Sequence, residues 1–259
     1  MIGSSYSIGP VVKNLLIING LMLLLKMVLG TDVAGHSVLD RELGLFALNS
    51  PNFRPWQLVT HMFMHGDFWH LFSNMLGLFM FGSMIEQVWG SKRFLTYYMI
   101  CGLGAAALQL GINAWEIQGH LAELASYGIS LSDVRPMAVL PLDDSFINEQ
   151  LAVIGERTNA PSGAVITLLK DLAFPMVGAS GAIFGILLAF GMLFPNVEIM
   201  LLFLPIPIKA KYFVVLYGLW ELSAGVRAAP GDNIAHYAHL GGMIFGLLLI
   251  LYWRRQRAI

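Results

Sequence analysis

Apolar residues run along this chain in blocks longer than a soluble core element needs. Val11 to about Leu29, Asp67 to Trp89, Phe94 to about Asn113, Val177 to Phe194, Lys211 to about Ser223 and Ala235 to Trp253 each read as a membrane-spanning helix. Short polar or basic turns separate them: Ser91-Lys92-Arg93 after the second, Pro195-Asn196 after the fourth, and Arg254-Arg255-Gln256-Arg257 beyond the sixth. Pro205 and Pro207 interrupt the approach to the fifth, because proline lacks the backbone donor that continues a helix. Lys26, near the far end of the first run, has a stem long enough to snorkel to the interface. It also interrupts any signal-peptide core, and Thr31-Asp32-Val33-Ala34-Gly35 is not a clear cleavage site.

Two stretches break this rhythm. Residues 30–66 hold Pro51, Phe53, Pro55 and Trp56 among many apolar residues, which predicts a loop lying on the membrane surface. Residues 114–176 are the one long polar stretch, with Glu116, Glu123, Asp133, Asp143, Asp144, Glu149, Glu156 and Asp171 outnumbering Arg135, Arg157 and Lys170. It reads as an insertion between the third and fourth spans. The runs 114–127 and 145–172 predict amphipathic helices, with Pro136, Pro141 and Pro161 as breaks. The expected architecture is all-α: a polytopic bundle of six transmembrane helices over 1–259, one membrane domain with an extended loop between helices 3 and 4.

Composition agrees. The 259 residues are 57% hydrophobic and 12% charged, and mean hydropathy is +0.69; a soluble domain carries roughly twice that charged fraction. The lipid bilayer is therefore a partner. A formal net charge of -1 with no basic stripe argues against a nucleic-acid partner. The lone Cys101 permits no internal disulfide and reads as a small buried hydrophobe. Lys92-Arg93, Lys209, Lys211 and the 254–257 cluster share one side of a six-span frame with Lys13. The positive-inside bias then puts both termini in the cytoplasm, with the cell's inner membrane as the expected location. Ser180 lies toward the outer leaflet, within reach of water.

Three constellations interrupt the apolar runs with chemistry. In Gly178-Ala179-Ser180-Gly181-Ala182-Ile183-Phe184-Gly185, small neighbours clear space around one hydroxyl. Gly181 and Gly185 make a face on which another backbone can approach closely, and Ser180 could itself be packing glue. If a helix starts here, its first amide N–H groups lack partners and can stabilise a developing oxyanion. The second constellation is His61, His65, His70 and Asn74; spacing of four puts His70 and Asn74 on one helical face. Interface anchoring, interhelical hydrogen bonds and zinc all compete there, but Met62 stands where a His-Glu-x-x-His metalloprotease carries its glutamate, so no metal is expected. The third is His236-Tyr237-Ala238-His239-Leu240-Gly241-Gly242, whose Gly242 and Gly246 form a second small-residue face. If that face packs on Gly181 and Gly185, His239 reaches Ser180 as base to nucleophile, with Phe184 stacked on the imidazole. No acidic residue flanks either one, which predicts a dyad with the imidazole oriented by packing.

Together, in this order, Gly178-Ala179-Ser180-Gly181, the His61/His65/His70/Asn74 series and Ala238-His239-Leu240-Gly241-Gly242 with Gly246 resemble the rhomboid family of intramembrane serine proteases. The resemblance covers the six spans and leaves 114–176 unmatched. It implies Ser180 as nucleophile, His239 as general base and then acid, and His70 and Asn74 as oxyanion donors beside the Ser180 N–H. His65, Gly178, Gly181 and Phe184 support the site, and Glu86 holds the cytoplasmic end of the second span. Trp56 matches the family's loop tryptophan, whereas Gln57 stands where an arginine is usual, which leaves the anchoring of the first loop open. The implied activity is cleavage of transmembrane helices of other membrane proteins near the outer leaflet, without cofactor. A catalytically silent relative that only binds membrane helices is the alternative. The fifth span, with Trp220, is the expected mobile element.

Overall fold

The computed structural model of the chain describes residues 8–31, 37–201, 204–227 and 234–257; Asp32 to Gly35 of the stretch Thr31-Asp32-Val33-Ala34-Gly35 lie outside them. In chain order its helices begin with α1 (Pro10–Leu29), α2 (Val38–Leu43), α3 (Gln57–Thr60), α4 (Phe68–Gly77) and α5 (Ser83–Trp89). A π-helical turn over Leu78–Gly82 joins α4 to α5 into one rod. Then come α6 (Ser91–Ala125), α7 (Leu131–Val134), α8 (Asp144–Thr158), α9 (Ser162–Ala173) and α10 (Ser180–Leu193). Strands β1 (Glu198–Leu201) and β2 (Leu204–Lys209) precede α11 (Ala210–Arg227) and α12 (His236–Arg257). Among the described residues, four helical segments are long and apolar enough to cross a membrane: Pro10–Leu29, Phe68–Trp89, Ser91–Ala125 and His236–Gln256. The 14-residue α10 is apolar but shorter, about 21 Å at 1.5 Å per residue.

The chain is mostly helical, as its apolar blocks predict, with one addition. Glu198–Leu201 and Leu204–Lys209 pair antiparallel, Glu198 opposite Lys209 and Ile199 opposite Ile208, with an irregularity between Ile199 and Leu201. A two-stranded ribbon has only edges, so Pro205 and Pro207 fit where a helix would break.

The chain divides into two compact units. The first comprises Met1–Leu21, His65–Gln109 and Gly178–Ile259. Within it the most extensive packing is α10 on α12. Glu86, 3% exposed, is this unit's buried anchor. Its Oε1 and Oε2 accept from the Val11 and Val12 N–H groups at 3.0 and 2.8 Å, and Ser91 Oγ donates to Oε1 at 2.7 Å. One carboxylate thus satisfies open N–H groups in the first turn of α1, where the helix dipole also favours negative charge.

The second unit comprises Met22–Met64 and Leu110–Val177. Its core gathers Ala47, Ile117, Leu124, Val134, Met137, Ile154, Leu168 and Leu172. The loop within residues 30–66 is stitched to the stretch 114–176. Leu45 and Met176 exchange backbone hydrogen bonds at 2.9 and 2.8 Å. Ser50 Oγ donates to the Leu172 carbonyl at 2.5 Å, and Asn52 Nδ2 to the Ala138 carbonyl at 2.7 Å. Gln57 anchors this loop: fully buried, it accepts from the Arg54 N–H at 2.9 Å and donates to the Asn52 carbonyl at 3.1 Å. Lys26 Nζ meets Asp40 Oδ2 at 2.6 Å. The predicted helix over 114–127 is the end of α6, whose 35 residues span about 52 Å against about 30 Å of hydrocarbon. No proline interrupts α6, so the helix carries on out of its apolar segment. Pro161 does separate α8 from α9, as expected.

Candidate active site

Ser180 opens α10, and Gly178 just before it has φ +134, a conformation that side-chain-bearing residues rarely adopt. The two glycine faces meet as the sequence suggests. A Cβ on Gly242 would overlap the Gly181 carbonyl, and one on Gly185 would lie 3.0 Å from the Gly242 carbonyl oxygen. Tyr97 locks the same face by donating its hydroxyl proton to the Gly185 carbonyl at 2.8 Å. Backbones this close carry His239, one turn before Gly242, to Ser180. His239 Nε2 and Ser180 Oγ are 2.9 Å apart. The Phe184 ring lies flat on the His239 imidazole, centroids 4.1 Å apart and planes 7° from parallel.

The far side of that imidazole departs from expectation. Glu221 of α11, 1% exposed, places Oε2 2.9 Å from His239 Nδ1. The same oxygen is 2.6 Å from His236 Nδ1. An acidic residue therefore does face the histidine, and packing alone does not orient it. Local sequence could not show this, since the carboxylate arrives from a different helix. The available signal was a glutamate within an apolar helix, where a buried charge requires a partner. Glu221, His236 and His239 are also the one gathering of metal-capable side chains among the described residues, their ligand atoms within 4.8 Å of one another. Hydrogen bonds already join these atoms, and a metal on His239 Nδ1 would displace the proton that the carboxylate accepts.

The second constellation lies at the start of α4. Asp67 caps this helix, accepting from the His70 N–H at 2.9 Å. His70 Nδ1 accepts from the Gly66 N–H at 3.3 Å, so in the neutral ring Nε2 carries the proton. That Nε2 lies 2.9 Å from where a Cβ on Gly178 would stand, and Ser180 Oγ lies 3.5 Å from the same point. A glycine therefore keeps open the space that His70 and Ser180 share. Asn74, one turn on, is 6% exposed, and its Nδ2 has no hydrogen-bond partner. Buried amide donors are ordinarily paired, so an idle one is an exception that calls for a reason. His65 meets His70 edge-on, centroids 5.0 Å apart. His61 is buried in the second unit with Nδ1 2.8 Å from the Gln57 carbonyl, and desolvation lowers its pKa to about 4.

A model of the rhomboid domain matches residues 52–130 and 154–256. The chain belongs to the rhomboid family. The matched segments contain Ser180, His239, His70, Asn74, His65 and Glu221, and within 114–176 they omit only 131–153. More of the insertion is family structure than the resemblance implied. Rhomboid protein 1, mitochondrial, of Saccharomyces cerevisiae is 27% identical over 191 residues, covering 74% of this chain and 40% of that protein. RHOMBOID-like protein 12, mitochondrial, of Arabidopsis thaliana is 26% identical over 218 residues, covering 82% of this chain and 50% of that protein. Rhomboid-like protease 3 of Toxoplasma gondii is 28% identical over 78 residues, 30% of this chain and 29% of that protein. The chain spans about half the length of the first two. Rhomboid membership and the apolar helices make it a multi-pass membrane protein. Both of these longer matches are named mitochondrial, so the expectation of a cell inner membrane with cytoplasmic termini gains no support from them.

Proposed function

We propose that this rhomboid-family chain is an intramembrane serine endopeptidase acting on transmembrane helices of other membrane proteins. The observation that carries the reading is the 2.9 Å contact between His239 Nε2 and Ser180 Oγ. In this reading, Ser180 Oγ attacks the scissile carbonyl carbon while His239 Nε2 accepts the hydroxyl proton. The carbonyl oxygen becomes an oxyanion, received by the Ser180 N–H, Asn74 Nδ2–H and His70 Nε2–H. As the C–N bond breaks, His239 returns the proton to the leaving amine. Water, activated by the same imidazole, then hydrolyses the acyl-serine. No step calls on a metal or cofactor.

Substrate selection follows from the surroundings. Peptide bonds within a helix are sequestered, so substrates with glycine or proline near the cut unwind most readily. The small residues around Ser180 favour a small side chain before the scissile bond. We read six spans in one membrane domain, with α10 and α11 completing the four longer helices and cleavage near the leaflet opposite the basic turns. The deciding experiment uses the purified chain in liposomes with a reporter transmembrane segment. Ser180→Ala should abolish cleavage while leaving the protein folded and membrane-bound; unchanged turnover refutes the reading. A fluorophosphonate should label the wild type and fail on His239→Ala. A wild type that neither cleaves nor labels, yet retains the reporter helix, would favour a silent helix-binding relative.

A further inference from the structure

A glutamate 1% exposed in an apolar helix is costly unless its charge is met, and Glu221 meets its charge with two imidazole nitrogens on one oxygen, at 2.6 Å from His236 and 2.9 Å from His239. A carboxylate only accepts, so both Nδ1 atoms carry protons. For His239 this assignment has a consequence at the opposite nitrogen. With the proton on Nδ1, the neutral ring presents the Nε2 lone pair to Ser180 Oγ at 2.9 Å. The other tautomer would turn an N–H toward the hydroxyl and could not take its proton. Phe184 fixes the plane of the ring but has no hydrogen-bonding group, so it cannot choose between tautomers.

We propose that Glu221 is the third member of a Ser180–His239–Glu221 relay. It acts as the positioning residue that selects the basic tautomer and faces the imidazolium formed when Ser180 is deprotonated. His236 shares the same oxygen and has Trp220 edge-on at 5.7 Å; it holds the carboxylate aimed at His239. No bond to substrate is made by Glu221, and the proton stays on Nδ1 throughout.

The inference rests on the hydrolase reading, and the experiment separates the two. Full-length wild type, Glu221→Gln and Glu221→Asp are compared in liposomes for kcat and KM on the reporter segment. Histidine tautomers are read by 15N chemical shift in the 15N-histidine-labelled wild type, the His239 signal being assigned with His239→Ala. Glu221→Gln keeps the volume but can present an N–H to Nδ1, favouring the wrong tautomer. Holding the histidine in the wrong tautomer lowers kcat about 10⁴-fold in a serine protease of the triad type; here a loss of that order is expected, with KM within about twofold of wild type. Glu221→Asp keeps the acceptor and should recover at least about tenfold over Glu221→Gln. Wild-type kcat in Glu221→Gln overturns the proposal. If neither variant folds, the wild-type spectrum decides: protonated Nδ1 on His239 supports the relay, and protonated Nε2 overturns it. A wild type without Ser180-dependent cleavage would instead defeat the hydrolase reading, and the tautomer would still decide the assignment of Glu221.

Discussion

Gly242 and Gly181 pass so closely that a single methyl on Gly242 would overlap the Gly181 carbonyl. The approach of Ser180 to His239 depends on it, because Ser180 adjoins Gly181 and His239 lies one turn from Gly242. Gly242→Ala should separate α10 from α12 and abolish fluorophosphonate labelling. It should also lower stability by more than the usual 1–3 kcal/mol of overpacking, roughly, since backbone rather than a flexible side chain must move. Gly20→Ala, inside α1 with nothing within 4 Å of the added carbon, should leave labelling unchanged without lowering stability and serves as the control. Labelling kinetics and thermal unfolding of the two variants check the point.

That contact was legible beforehand, and the reason is physical. A small-xxx-small face has one use in a lipid environment, close backbone approach, so two such faces beside a serine and a histidine imply a meeting. The apolar blocks were legible for a similar reason, since spanning lengths are set by bilayer thickness. Glu221 was not. Its partners lie on the next helix, and apolar periodicity says nothing about which buried carboxylate reaches which base. The second unit was hidden likewise: Ser50 and Leu172 are joined by a hydrogen bond across 122 residues. The pairing of β1 with β2 was only half legible, because Pro205 and Pro207 rule out a helix without specifying a strand.

Asn74 has a buried, unpartnered Nδ2 and should matter only when charge develops on substrate. In the proposed mechanism Asn74→Ala removes one oxyanion donor, an effect of about 10²–10³ in kcat where measured in other serine proteases. KM should hold and thermal stability should not fall, because no ground-state hydrogen bond to Nδ2 is lost. A KM rise with kcat intact would reassign Asn74 to substrate binding. Steady-state kinetics on the reporter segment distinguishes the two.

Phe184 stacks on His239 at 4.1 Å between centroids. Stacked aromatic pairs contribute roughly 0.5–1.5 kcal/mol beyond area burial. Phe184→Leu should therefore cost about 2- to 10-fold in labelling rate, and Phe184→Tyr should retain the wild-type rate. A Leu variant labelled as fast as wild type would show that the carboxylate side alone holds the ring.

Asp171, in the second unit, sits 3.5 Å from His120, and burial raises its carboxyl pKa from 3.8 to about 6. A folded-state pKa above the unfolded one means that the folded chain binds the extra proton between these values. Stability contributed by Asp171 is therefore full below pH 3.8, falls as pH rises through the window, and is gone above about 6. His61 acts oppositely: its pKa, lowered by burial from 6.5 to about 4, makes the folded state gain stability as pH rises from about 4 to 6.5. In the wild type the two slopes oppose each other. Asp171→Asn removes one, so its unfolding temperature should climb from pH 4 to 6.5 more steeply than that of the wild type. At pH 7 the variant should be more stable by about 1–2 kcal/mol, allowing for partial exposure. Thermal unfolding of both proteins across pH 4 to 7 measures the difference. Parallel curves would mean that Asp171 is not desolvated in the folded protein.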